Sequence, residues 1–184
     1  LDGQGRVLSG LIAGKKHLIE KINGFARHSG PALAPFNAWI ISKSLETLAV
    51  RMDRHCENAL SLSQRLERLS QIELVKYPFL PSHPQYKVAK KQMNAGGGII
   101  SFVIAGGFKR ACIFLDHLDL VSLTANLGDT RSIATHPAST THAKLPTPDR
   151  IAIGILPGLI RLSIGLEHVD DLYEDIEQAL RLGH

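Results

Sequence analysis

The sequence predicts a small β-sheet covered by helices, of the α/β or α+β class. Three observations carry this. Ile160, Leu162, Ile164 and Leu166 alternate near the C-terminus and so share one face of a strand. Apolar residues between positions 36 and 69 instead step by three and four, the spacing of one helix face. From position 36 onward, helical and strand segments follow one another in the order helix, strand, helix, strand, helix, strand, helix. An apolar content of 44% suffices for one ordinary domain, or one domain plus a piece of another.

The chain opens on LDGQGRVLSG, residues 1–10, a glycine-rich turn that begins with Leu1 rather than Met. A complete domain rarely starts inside a loop, so the chain reads as a fragment. Leu18, Ile22 and Phe25 lie at helical spacing in a short helix over 15–27, and Gly30, Pro31 and Pro35 break the chain after it. Leu45, Leu48, Met52, Cys56, Ala59, Leu62, Leu66 and Leu69 then form one stripe. A helix over 36–69 would be on the order of 50 Å long, so it either spans two domains or is kinked. Residues 78–84 read as a Pro-rich loop, 98–105 as a buried strand, and Phe108, Ala111, Cys112, Leu115 and Leu118 as the apolar face of a helix. A short strand fits 120–124, and 126–147 reads as irregular. Thr147 is placed as an N-cap with Pro148 at the first helical position of a short helix ending near Gly154. After the 158–166 strand, Asp170 or Asp171 is placed as the cap of a last helix with Leu172, Tyr173, Ile176, Ala179 and Leu180 inward.

Composition excludes several function classes. Net charge is +4 and the pI about 9.2, but Lys and Arg are scattered and aromatics make up only 5%, which argues against a nucleic-acid partner. No apolar run approaches the roughly 20 residues of a membrane span, and no signal peptide opens the chain. Cys56 and Cys112 fall on apolar helix faces, so they read as buried free thiols in a reduced, cytoplasmic setting.

Arg161 is the one charged residue between Gly158 and Glu167, on the strand face opposite Ile160, Leu162 and Ile164. A guanidinium on a rigid strand suits a carboxylate ligand. A strand with one face in water accommodates the same arginine, so on the residues alone both readings stand. His136 and His142 stand six apart with no third ligand nearby and read as satisfied loop histidines, with no metal site. DGQGR lacks a preceding strand and a third glycine, so its glycines read as turn residues.

Four ordered motifs then bear on identity. They are GPALAPFNAWIISKSLETLAVRMDRHCENA at 30–59, YPFLPSHPQYKVAKKQM with GGGIISFVIAGG at 77–107, NLGDTRSIATHPASTTHAKL at 126–145, and GLIRLSIGLE at 158–167. Together the chain resembles, nearly end to end, the C-terminal part of the Cys/Met-metabolism, pyridoxal-phosphate-dependent trans-sulfuration enzymes. That family includes cystathionine synthases and lyases, methionine γ-lyase and the homoserine-ester sulfhydrylases. Asn126 and LDGQGR are most similar to the O-succinylhomoserine sulfhydrylase branch.

The resemblance implies a fold-type I transferase. Residues 1–48 would be the tail of its large cofactor-binding domain, with the start of the interdomain helix, and 49–184 its C-terminal substrate-binding domain. It implies a pyridoxal 5'-phosphate enzyme, working as a homotetramer, that joins a homoserine ester and a sulfur nucleophile by γ-replacement. It also implies that Arg161 binds the substrate α-carboxylate, with Asn126 assisting through its amide and Thr141 lining the cleft. No catalytic or cofactor-binding residue is placed within the chain. The family's cofactor lysine follows a Ser-x-Thr pattern, which none of the ten lysines here does, so that lysine is expected just upstream of Leu1. The chain alone is then expected to be inactive; the alternatives are a cystathionine γ-synthase, cystathionine lyase or methionine γ-lyase within the family, and, of another class, a non-catalytic piece or assembly domain.

Overall fold

The computed structural model describes residues 1–182. They form two compact units, Leu1–Ala49 and the chain from Val50 onward.

The first unit holds two helices, α1 (Lys16–Ser29) and α2 (Pro35–Leu45). Gly30 ends α1 at φ 92°, and its N–H donates to the Ala26 carbonyl at 2.9 Å. This is a left-handed stop that glycine adopts without a Cβ penalty. None of the α1 residues is buried. In the opening loop the Asp2 carboxylate accepts the Arg6 N–H at 2.8 Å and the Arg6 guanidinium at 2.6 and 2.8 Å. Burial alone would raise the Asp2 carboxyl, but the hydrogen bonds and charge of Arg6 outweigh it and hold the group at about 2. Gly3 and Gly5 take φ 75° and 65°, as expected of turn glycines.

The helix expected over 36–69 is two helices, α2 and α3 (Leu48–Leu66). The break has a local cause. The Ser44 hydroxyl donates back to the Ile40 carbonyl at 2.7 Å, and the Ser44 carbonyl accepts the Thr47 N–H at 3.4 Å and the Thr47 hydroxyl at 3.3 Å. Such back-bonding competes with the helical ladder and bends it.

The second unit contains a five-stranded sheet of order β1-β2-β5-β4-β3, from β1 (Ile72–Lys76), β2 (Ile99–Ile104), β3 (Ser122–Leu123), β4 (Ile133–Thr135) and β5 (Leu159–Ser163). β3 and β4 are parallel and the other neighbours antiparallel. The mixed sheet with its helices is the α/β architecture expected. Its core face presents Val75, Phe102, Ile100, Ile160, Leu162 and Ala134. These cluster with Ala59, Leu62 and Leu66 of α3, Ala111 and Phe114 of α5 (Gly107–Asp116), and Leu172, Ile176 and Ala179 of α7 (Val169–Leu182). Phe102 and Phe114 meet edge to face at 5.9 Å, a geometry favoured by the ring quadrupoles.

Several elements differ from expectation. β1 and the short α4 (Tyr86–Gln92) were not anticipated. A bulge at Glu73 shifts the β1 register, so Leu74 and Val75 pair in succession and the period-two signal is lost. β4 lies inside the stretch read as irregular, and its three residues are too few to show a period. β3 is two residues long rather than five. In α6 (Thr147–Ala152) the N-cap is Pro146, so Thr147 is already helical; its hydroxyl accepts from Arg150 at 2.9 Å. Asp170 and Asp171 sit in the first turn of α7 instead of capping it, and Asp170 pairs with Arg65 at 2.6 Å. Cys56 and Cys112 are half-buried rather than buried; burial still pushes the Cys112 thiol up. No helix among the described residues is long and apolar enough to cross a membrane.

Candidate functional site

The candidate site is built on β5. Its core face is dry, with Ile160 and Leu162 0% exposed, which fixes the strand in depth. Arg161 therefore projects from the other face, and there the register places it directly between Ser101 of β2 and Thr135 of β4. That face is not open to water either: Leu159 and Ser163 are 8% and 3% exposed, and Arg161 is half-buried. Two glycines allow close approaches at the strand ends. A Cβ on Gly158 would collide with the Ile104 carbonyl, and one on Gly165 with the backbone of Thr130 and Arg131.

Arg161 is held by main chain. Its Nη2 donates to the carbonyls of Ala125 at 2.8 Å and Asn126 at 3.2 Å. None of the ion pairs among the described residues involves it. Its Nε is buried and hydrogen-bonds nothing in the protein. Buried guanidinium donors are costly to leave unmet, and the Nη1 of Arg110 is left in the same state.

The 124–131 loop that meets Arg161 is clamped along its length. Thr124 N–H donates to the Ala134 carbonyl at 3.2 Å, and the Thr135 hydroxyl donates to the Thr124 carbonyl. Gly128 N–H donates to the Ser163 hydroxyl at 2.8 Å, and Leu166 N–H to the Thr130 carbonyl at 2.8 Å. Asp129 accepts the Arg131 N–H at 3.0 Å and pairs with its guanidinium at 3.2 Å. Burial would raise the Asp129 carboxyl, but the Arg131 contacts overcome this and lower it. Beyond the loop, Glu167 accepts the Ser132 N–H at 2.6 Å and the Ser132 hydroxyl at 2.9 Å, while the Ser132 oxygen accepts the Gly165 N–H at 2.8 Å. From α3, Asn58 donates to the Gly165 and Glu167 carbonyls at 3.1 and 2.9 Å.

The structure thus brings Asn126 to Arg161, but through its carbonyl; its side chain is exposed. Thr141 is exposed and its hydroxyl lies 2.8 Å from the His142 Nδ1; no hydrogen bond joins it to Arg161 or Asn126. His136 is buried, with Nε2 at 2.8 Å from the Pro157 carbonyl, Nδ1 at 2.9 Å from the Ser139 hydroxyl, and its ring against Phe108 at 4.9 Å. It is the satisfied loop histidine that its surroundings suggested. Thr135 and Ser163 were missed. Ser163 was within reach of the pattern, two residues from Arg161 on the same face; Thr135 depends on strand register, which one sequence does not give.

A family model described as Cys/Met metabolism PLP-dependent enzyme matches residues 1–181. An O-succinylhomoserine sulfhydrylase of Pseudomonas aeruginosa is 46% identical over 98% of this chain and 45% of its own length. An O-acetyl-L-homoserine sulfhydrylase of Leptospira meyeri is 48% identical over 84% of this chain and 36% of its own. An L-methionine gamma-lyase of Pseudomonas putida is 42% identical over 98% of this chain and 46% of its own. The chain therefore spans less than half the length of these relatives.

Proposed function

The chain belongs to the Cys/Met metabolism PLP-dependent enzyme family, and from that premise we propose that it is the C-terminal portion of an O-succinylhomoserine sulfhydrylase. The full-length enzyme exchanges the γ-acyloxy group of O-succinylhomoserine for sulfide and releases homocysteine and succinate. Residues 1–48 are the tail of the large domain and 49–184 the substrate-binding domain; the enzyme is a cytoplasmic homotetramer.

The observation that carries this reading is the buried, unpartnered Nε of Arg161 on a strand face with no carboxylate paired to it. Arg161 binds the α-carboxylate of the amino-acid substrate. Its Nη2 stays on the Ala125 and Asn126 carbonyls, so the guanidinium plane is set before the ligand arrives, and binding orders less of the side chain. Asn126 extends the same edge of the site with its amide, and Thr141 lines the approach.

The family depends on pyridoxal phosphate, and the residues of this chain do not by themselves fit that group. All ten lysines are exposed, and none offers the enclosed amine such a site needs. The cofactor lysine accordingly belongs to another part of the full-length enzyme, and the chain alone is inactive. A second reading, elimination on methionine, is favoured by the 42% identity to a methionine gamma-lyase.

The test is product analysis of the full-length enzyme with O-succinylhomoserine, O-acetylhomoserine and methionine, each with and without sulfide. Sulfide-dependent homocysteine, formed fastest from the succinyl ester, is the expected result. Sulfide-independent 2-oxobutanoate from methionine as the main product would replace this reading with the lyase.

A further inference from the structure

Arg161 has two neighbours with no assigned part in substrate binding, and both hold the loop that holds Arg161. Ser163 lies two residues along β5 on the same face, is 3% exposed, and its hydroxyl accepts the Gly128 N–H at 2.8 Å. Thr135 lies directly across from Arg161 on β4, is 3% exposed, and its hydroxyl donates to the Thr124 carbonyl. The two contacts fix residues 124 and 128. The Ala125 and Asn126 carbonyls, which take the Arg161 Nη2, lie between those two points.

We propose that Ser163 and Thr135 are positioning residues for carboxylate binding: they hold the 124–128 loop so that its two carbonyls preset the Arg161 guanidinium. This rests on the reading of Arg161 as the substrate-carboxylate anchor. A guanidinium on a long side chain has many rotamers, and each must be excluded before a carboxylate binds with fixed geometry. The Ala125 and Asn126 carbonyls remove that freedom only while their own positions are fixed. Gly128 sits at φ 78° with open space around the position of a Cβ, so packing does not restrain the loop there. The Ser163 hydroxyl supplies the restraint. At the other end the Thr124 N–H ladder bond to Ala134 leaves the Thr124 carbonyl to the Thr135 hydroxyl.

A role limited to stability would weaken every ligand alike; a positioning role weakens ligands that carry the α-carboxylate. The experiment uses the full-length enzyme and two competitive probes, L-norleucine and L-norleucinamide, with KM and kcat for the amino-acid substrate. Ser163→Ala should raise KM and the norleucine Ki by about 3–10-fold, the range of one hydrogen bond, with kcat and the norleucinamide Ki changed by less than about twofold. Thr135→Val should shift the same quantities in the same direction, and decides the matter if Ser163→Ala does not fold. Ser163→Thr, which keeps the hydroxyl, should restore the norleucine Ki. Equal weakening of both probes, or no weakening of either, overturns the proposal. Arg161→Ala run beside them separates the two levels. If it loses the preference for norleucine and the hydroxyl variants do not, the anchor stands and the positioning role fails. If Arg161→Ala keeps the preference, the anchor itself is wrong.

Discussion

Removing the Asp175 carboxylate should destabilise the second unit by about 2–5 kcal/mol. Asp175 lies on α7, is 7% exposed, and accepts three consecutive backbone N–H groups, from Asp119 at 2.8 Å, Leu120 at 3.1 Å and Val121 at 3.0 Å. It fixes the turn that feeds β3, and β3 leads into the loop beneath Arg161. The three bonds are not equal. Asp119 and Leu120 are exposed, so in Asp175→Ala their N–H groups return to water and lose about 0.5–1 kcal/mol each. Val121 is 4% exposed, and its N–H is left dry at about 1–3 kcal/mol. With a urea m-value of roughly 2 kcal/mol/M, the midpoint should fall by about 1–2.5 M. Far-UV circular dichroism and the tyrosines report it, since Tyr77, Tyr86 and Tyr173 all lie in the second unit while Trp39 lies in the first. A loss below about 0.5 kcal/mol would refute the reasoning, because even the Val121 N–H alone should exceed it.

Two pH effects follow from the same kind of accounting. Burial pushes the Tyr77 phenol above its ordinary range, so its contribution is intact below about pH 10 and is lost as pH rises further. Phenolate absorbance should show Tyr77 ionising only together with unfolding, whereas an independent titration near pH 10 would contradict its burial. Asp2 has its folded value lowered to about 2 from 3.8, so its contribution is full above 3.8 and lost as pH falls toward 2. The Asp2 carboxyl carbon should titrate in that lowered range by NMR, and Arg6→Ala should return it upward; a normal value in the unsubstituted protein would rule out the Arg6 contacts.

The parts of the fold that could be read in advance are those with a long, unbroken period. β5 and β2 were expected from alternation and buried runs, and α5 and α7 from their apolar stripes. What escaped was set by contacts across the chain. The bulge at Glu73 in β1 depends on pairing with β2, and three-residue β4 becomes a strand only beside β5. The break after Leu45 turns on a Ser44 hydroxyl that bonds backward, a choice that local composition does not fix. At the site, Arg161 stood out as a lone charge in an apolar strand. The part of Asn126 that meets it is the backbone, which every residue type carries, so the identity of the side chain held no signal for that contact. Ser163 and Thr135 look like ordinary small polar residues until the register sets them beside Arg161.

The most direct test of the account is the contribution of Arg161 in the full-length enzyme. Truncating one partner of a desolvated arginine–carboxylate pair loses roughly 2–5 kcal/mol. Arg161→Ala should therefore lower kcat/KM for the amino-acid substrate by about 30-fold to several thousand-fold. Arg161→Lys should recover little of this, because an ammonium does not present the guanidinium's fixed set of donors. Melting temperature and cofactor absorbance should remain near those of the unsubstituted enzyme. Retention of near-normal kcat/KM in Arg161→Ala, with the protein folded and loaded, would contradict the account and return Arg161 to a purely structural place on β5.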